Sequence, residues 1–486
     1  MHSYQQLVEH IKQAGIHASV QEILGWDEET MMPAGATEMR ALQKGTQAEI
    51  SHTLATSNTI GELIRQAKKE KLNNEQQAML HEIEFDYARQ KNVPAELVKQ
   101  LEETTTRATE AWKRAKHNSD FKIFAPHLKK IVELKQQEAH AIDATKDPYE
   151  VLFEGYESGI SIQETSDIFK TIKNKLVPLI EKISKKNEID TKILYKKINE
   201  EQQLALCKAL AQYIGFDFTK GRLDISAHPF SAAWRITTRF ENNLAAPLLS
   251  TAHEAGHAAY EHNLPFEHFG TPLSQYRSLS IHESQSRLWE NHVAKSKEFW
   301  KGFFPQLKKA YTINTTPDNF YKAINAVKPG LIRVNADEVT YTMHIILRFE
   351  IEKALIQGKL TVEELPNIWN KKMKEYLGVK VPDDAHGVLQ DIHWSLGDIG
   401  YFGTYSLGSM IAAQLFKTAT NEINRLKEKI STGKFGDLHK WLKNKIHTHG
   451  RRYTTKELIK RATGEEPNPK AYLEYLERKF GELYQL

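Results

Sequence analysis

A single cysteine among 486 residues excludes a disulfide framework. Cys207 lies in Leu204-Ala205-Leu206-Cys207-Lys208-Ala209-Leu210, a helical context that suits a small buried thiol and not a nucleophile. No apolar run approaches the ~20 residues that a membrane-spanning helix needs, and Met1-His2-Ser3-Tyr4-Gln5-Gln6-Leu7 has no basic segment leading into an apolar one. An excess of one charge is also missing, since 66 Lys and Arg face 62 Asp and Glu for a net +4. That balance excludes the concentrated basic field of a nucleic-acid binder. The Lys-rich stretches at 66–71 and 183–199 are broken by Glu, Asp and Asn, which makes them solvated faces and loops. The expectation is a soluble cytoplasmic protein with neither a nucleic-acid nor a membrane partner.

A chain of this length buries about three quarters of the surface it exposes when unfolded, so its core needs no staple. No internal repeat or low-complexity linker divides it. The expected organisation is one catalytic domain over 1–486, for which two lobes around a cleft is the alternative form. Helical periodicity dominates. Leu206, Leu210 and Tyr213 fall at i, i+4 and i+7 before Gly215. Thr361 and Glu364 have capping-box spacing, followed by an apolar stripe of Leu365, Ile368, Trp369 and Met373 and a stop at Gly378. The exception is 222–240. Leu223-Asp224-Ile225-Ser226 and Arg235-Ile236-Thr237-Thr238-Arg239-Phe240 carry β-branched alternation. They predict a small hairpin, with His228-Pro229-Phe230-Ser231 between its strands, able to align an extended peptide by backbone pairing.

What the chain does have is Leu248-Leu249-Ser250-Thr251-Ala252-His253-Glu254-Ala255-Gly256-His257-Ala258-Ala259-Tyr260, an HEAGH sequence inside an unbroken helical pattern. Side chains four apart on a helix stand about 5–6 Å apart at Cβ, so His253 and His257 can converge on one cation. Glu254 then sits beside them, able to accept a proton from water and return it to a departing amine. Two chance histidines on a solvated helix are the bland alternative. The small side chains of Ala252, Ala255, Gly256, Ala258 and Ala259 argue against it, because they permit close approach by other elements. A catalytic zinc needs a third protein ligand. Glu283, on a second predicted helix in Ile281-His282-Glu283-Ser284-Gln285-Ser286-Arg287-Leu288-Trp289-Glu290, leads modestly over Glu267 and Glu290.

HEAGH followed by His282-Glu283-Ser284-Gln285 resembles the carboxypeptidase Taq family of zinc metallocarboxypeptidases. Further elements agree. His228-Pro229-Phe230 resembles the family's HPF element, and Arg235-Ile236-Thr237 the end of its D-x-R-x-T element. Ile332-Arg333-Val334-Asn335-Ala336-Asp337 is similar to I-R-x-x-A-D, and Gly387-Val388-Leu389-Gln390-Asp391-Ile392-His393-Trp394 to G-x-x-Q-D-x-H-W. The likeness runs from Gly25-Trp26-Asp27 to Ala462-Thr463-Gly464-Glu465. The resemblance implies a mainly α, cleft-bearing gluzincin fold with a small β-sheet beside the metal helix, and a homodimer. It also implies Glu283 as third ligand and Glu254 as general base. The implied reaction is release of single residues from peptides with a free C-terminus, with broad side-chain tolerance and poor use of a terminal proline. Zinc is the implied metal, with cobalt as its alternative.

Two departures stand out. Ala233 occupies the Asp position of D-x-R-x-T, and only Ser231-Ala232-Ala233-Trp234 separates Phe230 from Arg235, fewer residues than the family usually has. Gly403 replaces the proline of its G-Y-F-P-T-Y stretch.

A carboxypeptidase must also bind the terminal carboxylate, for which a forked guanidinium suits best. Arg235 and Arg333 are the candidates, although Arg333 could simply pair with Asp337 one helical turn on, and Arg235 could decorate a strand. Tyr401, Tyr405 and His393 are candidate donors to a developing oxyanion, and His228 belongs with them as a substrate-side residue. His447 and His449 read as the end of a surface helix, without a ligand role. An endo-acting oligopeptidase of related fold would not need the carboxylate clamp. A helical scaffold with a vestigial metal site would not need Glu254.

Overall fold

The computed structural model describes residues 2–195 and 198–486. Lys196 and Lys197, within the Lys-rich 183–199 stretch, lie outside the described residues, as does Met1. The chain forms two compact units, each built from three separated stretches: 1–90, 190–324 and 412–466 in the first, 91–189, 325–411 and 467–486 in the second.

Helices make up nearly all the regular structure, as the periodicity predicts. The helix Glu200–Tyr213 buries Leu206, Cys207 and Leu210 and stops before Gly215, whose φ of 98° few other residues adopt. Thr361 donates from both its N–H and its hydroxyl to Glu364, and Gly378, in the left-handed region, ends the helix Leu365–Leu377. In the second unit the helix Tyr341–Ile356 is apolar nearly all round and almost wholly buried. Its polar members His344, Arg348 and Glu352 are therefore buried with it.

The only sheet among the described residues lies in the first unit and comprises β1 (Leu223–Ile225), β2 (Ser231–Ala232) and β3 (Arg235–Thr238), in the order β1-β3-β2. The predicted hairpin between 223–226 and 235–240 is not formed. β1 runs parallel to β3, pairing Leu223 with Ile236 and Ile225 with Thr238. The true hairpin is β2–β3, with Ser231 opposite Ile236 and Ala232 opposite Arg235. Pro229, lacking an N–H, cannot continue a ladder. Around it Ser226 Oγ donates to His228 O at 2.6 Å, and Phe230 N donates to Thr237 Oγ1 at 2.8 Å. The chain is thereby carried from one side of β3 to the other. Because β3 is paired on both sides, only the outer edges of β1 and β2 are left in this sheet to pair with an extended peptide.

The short segment before Arg235 is a tight turn whose central residues, Ala233 and Trp234, have φ of 46° and 65°. Two positive φ values match the twist of a β-hairpin but normally select Asn and Gly. The turn is fastened to the end of the helix Ala246–Glu261, where His262 Nε2 lies 3.1 Å from Trp234 O.

Candidate metal centre

The HEAGH segment lies in the helix Ala246–Glu261, opened by Pro247 and by Asn243 Oδ1, which accepts from the N–H groups of Ala245 and Ala246. This helix packs on β3 and on the helix Leu279–Arg287. The approach of the second helix depends on Gly256. A Cβ there would stand 2.7 Å from both Gln285 O and Ser286 Cα, closer than any side chain tolerates. The row of small residues read from the sequence thus has a definite use: it brings Glu283 against the two histidines.

Nε2 of His253 and Nε2 of His257 each lie 3.5 Å from the same atom, Oε2 of Glu283. One ligand atom from each residue falls within 4.8 Å of the others. Zinc bonds of about 2.1 Å in tetrahedral geometry separate ligand atoms by about 3.4 Å, so the donor set fits such an ion. Glu267 is exposed on a short turn and plays no part. Glu290 also lies outside the group of three. It accepts from His253 Nδ1 at 2.9 Å, the outer-carboxylate position that fixes the tautomer and leaves Nε2 for a cation. The helix widens to π geometry over Leu288–Ala294, a departure common near functional sites, and Glu290 lies on that stretch.

Arg287, which sequence reading passed over, bridges the two carboxylates. Its Nε donates to Glu283 Oε1 at 2.6 Å and its Nη1 to Glu290 Oε2 at 3.0 Å. Lys295 adds a bond to Glu290 Oε1 at 2.8 Å. The i, i+4 spacing of Glu283 and Arg287 was the available signal. His282 stacks on His257 with ring centroids 4.2 Å apart and reaches Glu261 Oε1 through Nε2 at 3.0 Å.

Burial sets the protonation of the centre. It pushes the Glu254 carboxyl up to about 7, with Glu283 and Glu290 adding to the rise and His253 opposing it. Burial and the neighbouring His282 push His257 down to about 3, which keeps its imidazole neutral, the form that can bind a cation. Burial alone would raise Glu283, but Arg287, His253 and His257 outweigh it and hold the carboxylate below its usual range. The group therefore pairs a carboxylate held ionised with, next to it, a buried carboxyl that holds its proton more tightly than usual.

Against this geometry, the sequence profile described as carboxypeptidase Taq (M32) metallopeptidase matches residues 6–480. The chain belongs to the carboxypeptidase Taq (M32) family. A relative, thermostable carboxypeptidase 1 of Thermus thermophilus, is 37% identical over 504 residues, covering 99% of both chains. Among solved structures, the M32 carboxypeptidase of Deinococcus radiodurans has a TM-score of 0.96 at 35% identity over 100% of both chains. The carboxypeptidase of Pyrococcus furiosus has a TM-score of 0.96 at 34% identity over 99% of both. This M32 chain is thus a metal-dependent carboxypeptidase with the helical fold and small sheet of its relatives.

The other predicted site residues of the M32 chain fall in both units. In the first, His228 is exposed. Arg235 holds its guanidinium 4.9 Å from the Trp26 ring, with Nη1 buried and without an acceptor. In the second, Arg333 does not pair with Asp337, whose carboxylate is occupied by the N–H groups of Lys328, Val339 and Thr340 and by the Thr340 hydroxyl. Asp337 ties down the turn that leads into the next helix, and Arg333 turns to Asp391, with Nε and Nη2 2.9 and 2.8 Å from Oδ1. Arg348 binds the other oxygen, Nε to Oδ2 at 2.7 Å. Burial would raise Asp391, and the two arginines hold it well below the usual range instead.

Around this cluster, burial keeps His393 neutral, pushed down to about 4 against the pull of Asp391. The Tyr405 hydroxyl lies 3.3 Å from that of Tyr401, and burial raises the Tyr405 phenol, which stays a proton donor. His447 corrects the surface reading. It is fully buried, with Nε2 3.0 Å from Gln285 Oε1, because the chain turns inward after Lys445; His449 is only partly buried, against Tyr453.

Proposed function

We propose that this metallocarboxypeptidase works with one zinc per chain, held by His253, His257 and Glu283, and with Glu254 as general base and then general acid. The observation that carries the reading is the convergence of two imidazole Nε2 atoms on one carboxylate oxygen beside a buried carboxyl group. A divalent cation bound there supplies Lewis acidity toward the scissile carbonyl and makes water more acidic. Cobalt suits the same nitrogen and oxygen donors and is the alternative metal. Glu254 takes the proton from water on its carboxylate and passes it to the departing amine.

Tyr401, Tyr405 or the neutral His393 is the proposed donor to the oxyanion. A guanidinium, from Arg235 or Arg333, is the proposed partner of the terminal carboxylate, and His228 a substrate-side residue. Release of single C-terminal residues with broad side-chain tolerance and little action on a terminal proline follows from the family likeness, as does a homodimer. The catalytic domain is taken as the whole of 1–486. A cytoplasmic location suits the lone, buried Cys207. Neither the oligopeptidase nor the scaffold reading is favoured, since a scaffold has no use for a buried Glu254.

Metal analysis with product mapping on one peptide tests the proposal. Zinc near one equivalent, loss of activity without loss of fold on chelation, and stepwise removal of C-terminal residues are expected. Glu254→Gln keeps the metal and loses roughly 10²–10⁴ in turnover. Full activity in metal-free protein, or cleavage at internal bonds, overturns it.

A further inference from the structure

Glu283 has two chemically equal oxygens, yet the site treats them differently. Oε2 is the atom that faces both histidines, 3.5 Å from each Nε2, and accepts a neutral bond, from the Ser286 hydroxyl at 3.0 Å. Oε1 points away into a charge-assisted bond of 2.6 Å from Arg287 Nε. The same guanidinium is anchored at its far side by Glu290, which is itself held by Lys295 and by His253. Arg287 is only 13% exposed at its side chain, and Glu283 is 7% exposed. Neither can swing into solvent without breaking this fork. A short charge-assisted bond to Oε1, with its guanidinium fixed at the far side, holds the carboxylate in the rotation that presents Oε2 to the histidines.

We propose that Arg287 is a positioning residue that limits Glu283 to single-oxygen ligation, leaving the remaining coordination positions for water and the substrate carbonyl. This rests on the reading of His253, His257 and Glu283 as the metal site. The demand is chemical: a catalytic site must keep a position open, and a second carboxylate oxygen would take it. An alternative role for Arg287, simple neutralisation of Glu283 and Glu290, predicts the opposite sign in one measurement. A guanidinium repels a cation. Deleting a mere neutraliser therefore tightens metal binding, whereas deleting a residue that orients a ligand weakens it, by about 10–100-fold for such outer partners.

The experiment compares wild type with Arg287→Met, which keeps an unbranched apolar stem and lacks the guanidinium, using zinc affinity by chelator competition and crystal structures of both zinc-loaded proteins. Wild type is expected to bind zinc through Oε2 of Glu283 alone. Arg287→Met is expected to lose about 10–100-fold in affinity and to bring both Glu283 oxygens to bonding distance. Unchanged or tighter binding, or single-oxygen ligation preserved in the variant, overturns the inference. If Arg287→Met does not fold, the wild-type structure still decides, since two-oxygen ligation there sinks the idea. Zinc bound elsewhere in wild type would instead overturn the metal-site reading beneath it.

Discussion

Nδ1 of His253 lies 2.9 Å from Oε2 of Glu290, seven residues beyond the proposed third ligand. By sequence alone Glu290 competes with Glu283 for the metal; in the structure it orients a histidine that competes for nothing else. Glu290→Ala should therefore weaken zinc binding by about 10–100-fold while leaving a measurable site. Glu283→Ala should lose the metal altogether. Chelator competition on both variants separates the roles, and equal losses would contradict the assignment.

Gly256 and Gly45 make a paired test of close approach. Both lie inside helices of the first unit, but a Cβ at Gly256 meets Gln285 O at 2.7 Å, and one at Gly45 meets nothing within 4 Å. Gly45→Ala should stabilise by about 0.5–1 kcal/mol, because alanine loses less backbone freedom on helix formation. Gly256→Ala should cost about 1–3 kcal/mol through overpacking. It should also weaken zinc binding, since the helix it pushes away bears Glu283. Thermal midpoints and metal content of the two variants check this, and an unperturbed Gly256→Ala protein would refute it.

Glu352 gives a pH prediction whose sign is unlike that of most carboxylates. Burial raises it to about 8, despite bonds from Trp394 Nε1, Gly400 N and the Tyr149 hydroxyl. With a folded pKa above the unfolded one, the group binds more protons in the folded state. Its contribution is fully present below about 4.3 and is lost as pH rises through about 8. Glu352→Gln, which mimics the neutral acid, should lose less stability than wild type between pH 5 and 8.5, read as urea midpoints. Parallel profiles would show that the group is ionised throughout.

Helical content, the HEAGH helix and its need for small neighbours were legible because each follows from local spacing: 3.6-residue periodicity, caps, and two histidines one turn apart. The pairing of β1 with β3 was not, since parallel and antiparallel partners share the same alternation and only the path through Pro229 decides between them. Arg333 illustrates the same limit. Asp337 at i+4 is its partner by sequence distance, whereas Asp391 wins in space because Asp337 is already committed to the backbone of the turn at 338–340. His447 was misread because a polar residue after Lys445 looks like a solvated end until Gln285 is brought to meet it.

Exo-specificity should rest on a free terminal carboxylate, and the structure frames how its partner can be found. Arg333 and Arg348 share a single carboxylate, Asp391, so their group carries one uncompensated positive charge. Removing Arg333 leaves Asp391 still paired with Arg348, and the surplus disappears without creating an orphaned anion. Arg235 differs, because its guanidinium rests on the Trp26 ring and Nη1 has no acceptor. For one peptide prepared as acid and as amide, wild type should lose about 2–5 kcal/mol of transition-state binding on amidation. That corresponds to a fall in kcat/KM of roughly thirtyfold to several thousandfold, since the amide forfeits a charge-assisted pair with a desolvated guanidinium. Arg333→Ala and Arg235→Ala are then measured on both substrates. The variant that slows the acid selectively, and so narrows the gap, has lost the carboxylate's partner; a variant that slows both forms alike has lost something else. If wild type discriminates and neither variant narrows the gap, the carboxylate is held without either arginine. Equal cleavage of acid and amide by wild type would remove the need for a clamp and return the choice to an endo-acting peptidase.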